Sequence, residues 1–223
     1  MVADEDAEVT PVWHMALIHR MFRARFAELV DLVPAVPDDD LTRRRAVLDH
    51  LDFNLGGLHH HHVGEDTHLW PLLNKRARAE AATIRRMHTD HDEILQLSER
   101  VRELAARWMQ APATTAASAA AELTEALGAF RTALVDHLDE EERVVVPLLA
   151  QHVSVREWTD FGKAMASPEA MPRDKLHLFM GSLVEVATPR ELVEFLPWPA
   201  RLIWRLSGRR RYERELAVVR GVA

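Results

Sequence analysis

The sequence predicts an all-α protein: an antiparallel four-helix bundle with a helical extension on its C-terminal side. Three observations carry that reading. Apolar residues recur at intervals of three and four almost throughout, with no sustained alternation of the strand type. Prolines and short polar links divide residues 11–155 into four long amphipathic segments, the pattern of helices that pack on one another in chain order. The second of these segments also matches the fourth at an offset of 76 residues over several turns.

The first helix is expected from about Val12 to Val33, ended by Pro34 and Pro37, which lack an N–H and fix φ. Pro37 to Asp40 is a loop whose acidic end caps the next helix. The second helix runs from about Leu41 to Arg78 and the third from about Ala81 to Met109. Ala111 to Ser118 reads as a low-complexity connection, and the fourth helix follows from about Ala119 to His152. Residues 11–155 are therefore assigned to the bundle. From 156 to 223, Pro168, Pro172, Pro189, Pro197 and Pro199 cut the chain into short helices, read as an extension packing on the bundle.

Composition narrows the chemistry. The chain has no cysteine among its 223 residues, which excludes disulfides, iron–sulfur clusters, thiolate zinc and thiol nucleophiles, so any metal is held by nitrogen and oxygen. A net charge of -7 argues against nucleic-acid binding, and no glycine-rich phosphate loop or nucleophile motif is present. No stretch is long and apolar enough for a membrane span, and Met1 to Asp6 is acidic where a signal peptide is basic, so a cytoplasmic location is expected. Histidine, at 13 residues, is over-represented for a protein without metal or proton chemistry.

The repeat carries candidate ligands. One seam runs Val47, Leu51, Asn54, Leu58, His61, Glu65, His68, Leu72, and its counterpart Leu123, Leu127, Phe130, Leu134, His137, Glu141, Val144, Leu148. At matched places both seams are interrupted by His-x-x-x-Glu, a pair one helical turn apart and about 6 Å between Cβ atoms, within reach of one metal site. Two buried His–Glu hydrogen bonds are the alternative, but the cost of burying a carboxylate would then be met twice at matched positions. In the run His59 to His62, His61 is chosen because it precedes Pro71 by ten residues, as His137 precedes Pro147. His59, His60 and His62 align with Val135, Asp136 and Leu138 and are read as flanking groups. His19 lies on the first helix's stripe with Met15, Phe22 and Phe26, and His91 on the third's with Ile84, Met87 and Ile94. Taken singly, each is ordinarily a satisfied core histidine. Each half of the chain thus offers a helix with one inward histidine followed by a helix with His-x-x-x-Glu.

Together, His19-Arg-Met-Phe-Arg, His61-x-x-x-Glu65-Asp66-x-x-x-Trp70-Pro71-Leu72-Leu73, His91-Asp-Glu-Ile and His137-x-x-x-Glu141-Glu142-x-x-x-x-Pro147-Leu148-Leu149 resemble the hemerythrin-like HHE cation-binding domain over about residues 11 to 152. The resemblance implies two non-haem irons, oxo- or hydroxo-bridged, held by His19, His61, Glu65, His91, His137 and Glu141, with carboxylates bridging. The same donors accept other divalent first-row metals. Hemerythrins use a fifth histidine, for which His88, one turn before His91, is the first candidate; His68 and His62 are further possible donors or partners of the ligands. Dioxygen, peroxide or nitric oxide is the implied small ligand, as a carrier, a catalase- or peroxidase-like enzyme, or a sensor acting through the extension. A ferritin-like site is disfavoured, because Glu65-x-x-His68 has no second Glu-x-x-His partner. The basic, tryptophan-bearing stretch Phe195 to Tyr212 is expected to cover the bundle's open end, in preference to a membrane surface, and no protein partner is indicated.

Overall fold

The computed structural model describes residues 10–166 and 174–222; the acidic start of the chain, Pro168 and Pro172 lie outside the described residues. Every element among the described residues is helical. Helix α1 spans Trp13–Leu32 and ends ahead of Pro34. Helix α2 (Leu41–Gly64) starts where expected, with the Asp40 carboxylate accepting the Arg43 N–H at 2.9 Å. It passes through a π-helical turn at Glu65–Leu69 into α3, Trp70–Arg76. Helix α4 is Ala81–Gln110. Helix α5 (Ala113–Glu140) passes through a second π-turn, Glu141–Val145, into α6, Val146–His152. The connection expected at 111–118 is mostly helical, because its alanines favour helix once Pro112 has set the entry.

The two π-turns depart from the uninterrupted helices expected, and the prolines explain them. Trp70 N–H reaches back five residues to the Glu65 carbonyl, and Val146 N–H likewise to Glu141. Pro71 and Pro147 follow immediately. Neither has an N–H to give, and in a regular helix each ring crowds the carbonyl four residues before, so the widened turn relieves both conflicts. The extra residue moves the inward seam by one. It passes from Glu65 to Leu69 and Leu73, and from Glu141 to Val145 and Leu149, instead of the expected His68 and Leu72 or Val144 and Leu148.

Helices α1 and α4 each pack against both α2 and α5. His19 meets His61, the Arg44 guanidinium donates to the Trp108 and Ala111 carbonyls at 3.1 and 2.9 Å, Arg107 meets Glu122, and Phe26 stacks edge-on against Phe130. Arg44 is fully buried and closes the C-terminal end of α4 with a cation, where the helix dipole favours one. The apolar interior forms two clusters. The larger contains Phe22, Phe26, Leu58, Ile94, Phe130 and Leu134; the smaller contains Met15, Leu69, Trp70, Met87, Val145 and Leu149 beyond the π-turns. Between them lies a layer of histidines and carboxylates.

The extension comprises α7 (Val155–Met165), α8 (Leu176–Val186), α9 (Pro189–Phe195), α10 (Trp198–Ile203), a π-turn at Trp204–Gly208 and α11 (Arg209–Arg220). Helix α8 lies on α1, and α11 on α2 and α8, so these two cover the flank of the first two helices, while Trp158 and Phe161 of α7 join the smaller cluster. A largely buried ion network holds it. Arg25 pairs with Glu28 at 2.8 Å and Glu185 at 2.7 Å, and Arg220 pairs with the same two carboxylates at 2.6 and 2.9 Å. Arg43 donates to the Val219 and Arg220 carbonyls, and Gly221 turns the chain there at φ 70°. Tyr212 lies flat over Gly181, where a Cβ would come within 2.2 Å of the ring. The outer side of α10 is uncovered: Trp204 packs inward near Tyr212, while Trp198, Leu202, Ile203 and Leu206 face out. Among the described residues no helix is long and apolar enough to cross a membrane.

Candidate metal centre

The polar layer gathers side chains from four helices. His19 comes from α1, His61 and His62 from α2, His91 from α4 and His137 from α5, while Glu65 and Glu141 are the first residues of the two π-turns. All seven are buried, and both carboxylates are completely so. Their donor atoms form two groups, His19, His61, Glu65 and Glu141 in one and His62, His91 and His137 in the other, with the atoms of each group within 4.8 Å of one another. The carboxylates tie the groups together. Glu65 lies 3.1 Å from His61 Nε2 and 3.5 Å from His91 Nε2; Glu141 lies 3.5 Å from His19 Nε2 and 3.7 Å from His137 Nε2.

Electrostatics and hydrogen bonding both mark this layer as a cation site. Four carboxylate oxygens of Glu65 and Glu141, both ring nitrogens of His137, and Nε2 of His62 and His91 are buried with no hydrogen-bond partner. Unpaired buried polar atoms cost roughly 1–3 kcal/mol each, so eight in one layer is a donor set that a cation would satisfy and a plain core would not tolerate. Burial, and then the neighbouring imidazoles, hold His61 and His62 well below the usual histidine range and push His137 down to about 3. The neutral imidazole is the form that binds metal. Burial, and then the Glu141 charge beside it, push the Glu65 carboxyl well up.

An outer pair of carboxylates orients the rings. Asp66 Oδ1 accepts from His91 Nδ1 at 3.1 Å and from His88 Nδ1 at 2.9 Å. Glu142 Oε1 accepts from His19 Nδ1 at 3.0 Å and from Arg23 at 2.6 Å. Because a carboxylate only accepts, the proton of each imidazole sits on Nδ1 and Nε2 is left to face inward. Burial alone would raise both carboxyls, but these hydrogen bonds hold Asp66 and Glu142 below the usual carboxylate range. Aromatic rings line the walls. Trp70 stacks on His91 with centroids 6.1 Å apart, His62 on His91 at 4.1 Å, and Phe22 lies 5.5 Å from His61. A pocket of about 120 Å³ between α2 and α4, lined by Leu55, Leu58, His62, Asp66, His91 and Ile94 among others, opens beside the three-histidine group.

The structure brings His19, His61, Glu65, His91, His137 and Glu141 into this one layer. Of the further candidates it brings in only His62. Choosing His61 by the repeat left His62 as a flanking group, yet at 5 % exposure it is as buried as His61 at 4 %, since an inward stripe about 100° wide takes neighbouring positions. The available signal was the apolar identity of its counterpart, Leu138, which is fully buried too. His88 is mostly exposed and reaches Asp66, not the layer. His68 is turned out by the π-turn, with its ring 6.3 Å from Phe161. Asp66 and Glu142 were not singled out as orienting groups; the signal was an acidic residue directly after each seam glutamate.

A family model described as the hemerythrin HHE cation binding domain matches residues 10–149. No curated protein and no solved structure matches the chain.

Proposed function

The chain belongs to the hemerythrin HHE cation-binding domain family, and from that premise we propose that it is a non-haem di-iron protein that binds dioxygen or reacts with peroxide or related oxygen and nitrogen species. The single observation that carries the reading is the pair of carboxylates, each touching a histidine of both donor groups, in a layer of eight otherwise unpartnered buried atoms. In this reading α1, α2–α3, α4 and α5–α6 form an antiparallel bundle, supported by contacts that pair early residues of one helix with late residues of its neighbour. His19 and His61 would hold one ion and His62, His91 and His137 the other, with Glu65 and Glu141 shared. Iron held by these residues would supply the electrons that a small oxidant takes up.

The protein's own residues do the rest. Asp66 and Glu142 keep the Nδ1 protons of His91 and His19 in place, so that Nε2 stays unprotonated. The two apolar clusters keep bulk water from both sides of the layer. The pocket, with leucine and isoleucine walls and imidazole edges, suits a small neutral ligand better than an anion. Five imidazoles against two carboxylates put less negative charge on the ions than a ferritin-like site does, which favours binding over oxidative activation.

Elemental analysis of protein purified without chelating resin, with absorption spectra in air and after peroxide, tests the proposal. Roughly two irons per chain, with ferric bands that respond to oxidant, is the expected result. A chain that takes up no iron even after anaerobic ferrous reconstitution overturns it. One contact favours a sensing role as a second reading: α7 rests its Phe161 and Met165 on Gly64, where a Cβ would lie 2.3 Å from the Met165 sulfur, directly before Glu65. Hydrogen exchange in α7 that changes on metal loading supports that reading, and unchanged exchange removes it.

A further inference from the structure

Eight large apolar side chains are exposed among the described residues, and five of them, Val193, Trp198, Leu202, Ile203 and Leu206, fall between positions 193 and 206. Trp198, Leu202 and Leu206 follow at intervals of four along α10 and its π-turn, at 68, 44 and 71 % exposure, so they form one outward ridge. The opposite side of the same segment is anchored: Leu196 and Tyr212 are buried, and Trp204 packs near Tyr212. The ridge is therefore held in shape without a partner. Charge is segregated beside it. Residues 196–212 contain five arginines and no acidic residue, in a chain whose net charge is -7. Arg205 and Arg210 are exposed and make no ion pair among the described residues, while Arg209 and Arg211 pair only with Glu213 and Glu215 along their own helix.

We infer that this ridge docks on an anionic lipid surface, with Trp198, Leu202, Ile203 and Leu206 entering the headgroup boundary and Arg205 and Arg210 meeting lipid phosphates. The chemistry selects this occupant. A second copy of the chain joined through a two-fold axis would set the arginine cluster against itself. A nucleic acid would use the arginines but leave leucine and isoleucine against water or phosphate. A membrane surface is the partner that takes apolar side chains, an interfacial tryptophan and a row of cations together. The segment lies on the surface and does not span, in keeping with its short helices. The association revises the expectation that this stretch serves only as a cover for the bundle, and it stands apart from the metal centre.

Co-sedimentation of the full chain with phosphatidylglycerol vesicles and with phosphatidylcholine vesicles tests it. Binding to the anionic vesicles at least about tenfold stronger, weakened by salt and accompanied by a blue shift of tryptophan emission, is expected. Leu206→Asp should abolish most of it, and Arg205→Glu with Arg210→Glu should remove the anionic preference. Both sets are exposed, so circular dichroism and metal content should be unchanged. Equal binding to both vesicles, or no binding, overturns the inference. So does binding that Leu206→Asp leaves intact, a concentration-dependent dimer that Leu206→Asp dissolves while vesicles go unbound, or capture of duplex DNA with vesicles unbound.

Discussion

The second and fourth helices carry the same device, and the comparison separates what the centre needs from what makes it lopsided. Both place a histidine and a glutamate on the inward seam, widen at once into a π-turn, and resume at a proline. In both, the acidic residue after the glutamate leaves its own helix to hold an imidazole of another, Asp66 that of His91 and Glu142 that of His19. These agreements are the requirements of a shared site. The differences lie in the flanking positions. His62 stands where the fourth helix has Leu138, so three histidines face one side of the layer and two the other. His50 stands where the fourth helix has Ala126, and only the second helix is covered by α11.

The widest break in both halves at once comes from a shared carboxylate. Glu65→Ala or Glu141→Ala should lower metal affinity by more than about a hundredfold, since each glutamate meets both donor groups. Metal content after dialysis measures it, and full occupancy in either variant ends the shared role. Next is the pH response of the covered helix. Burial, and then the Arg25 charge, push His50 down from 6.5 to about 4, so the fold favours the neutral ring. Its contribution to stability is complete above about pH 6.5 and is lost as pH falls towards 4, about 3 kcal/mol in all. In metal-loaded protein, His50→Ala should flatten that part of the curve of urea midpoint against pH; an unchanged slope assigns it elsewhere.

His62→Leu makes the two halves alike. It should weaken metal binding by up to about a hundredfold, yet stabilise the metal-free protein by about 1–3 kcal/mol, because leucine replaces an imidazole with an unpaired buried nitrogen. Weaker binding together with a less stable metal-free protein would show that His62 serves packing alone. The smallest expected effect is in the outer carboxylates. Asp66→Asn and Glu142→Gln keep shape and lose charge, and each should reduce metal affinity about tenfold without moving the urea midpoint of the metal-free protein. Competition with a chromophoric chelator reads both, and wild-type affinity in both variants would deny them an orienting role.

Much of this was legible in the sequence, for physical reasons that differ by residue. The seams from Val47 to Glu65 and from Leu123 to Glu141 are regular helix, so each step of three or four landed on a buried residue as far as the glutamates. Beyond them the reading slipped by one, because Pro71 and Pro147 were taken as the close of a match and not as the cause of a wider turn. His62 was passed over because its repeat partner is a leucine, although both positions are buried. The extension's place was out of reach, because its anchors are single contacts of Arg25 and Glu28 on α1 and Arg43 on α2, whose partners no periodicity announces.

Those anchors also bear on how the chain reaches its folded form. Arg20 meets Glu191, Arg25 meets Glu185, Arg43 meets the Val219 carbonyl and Glu28 meets Arg220 across sequence separations of 171, 160, 176 and 192 residues. Contacts so distant in sequence close late, since the chain between them must already be compact. During synthesis the first two helices can therefore find each other long before their outer flank is covered, and Arg25, Glu28 and His50 wait in water for α8 and α11. The flank that ends as one of the most densely ion-paired parts of the molecule is the last to be sealed.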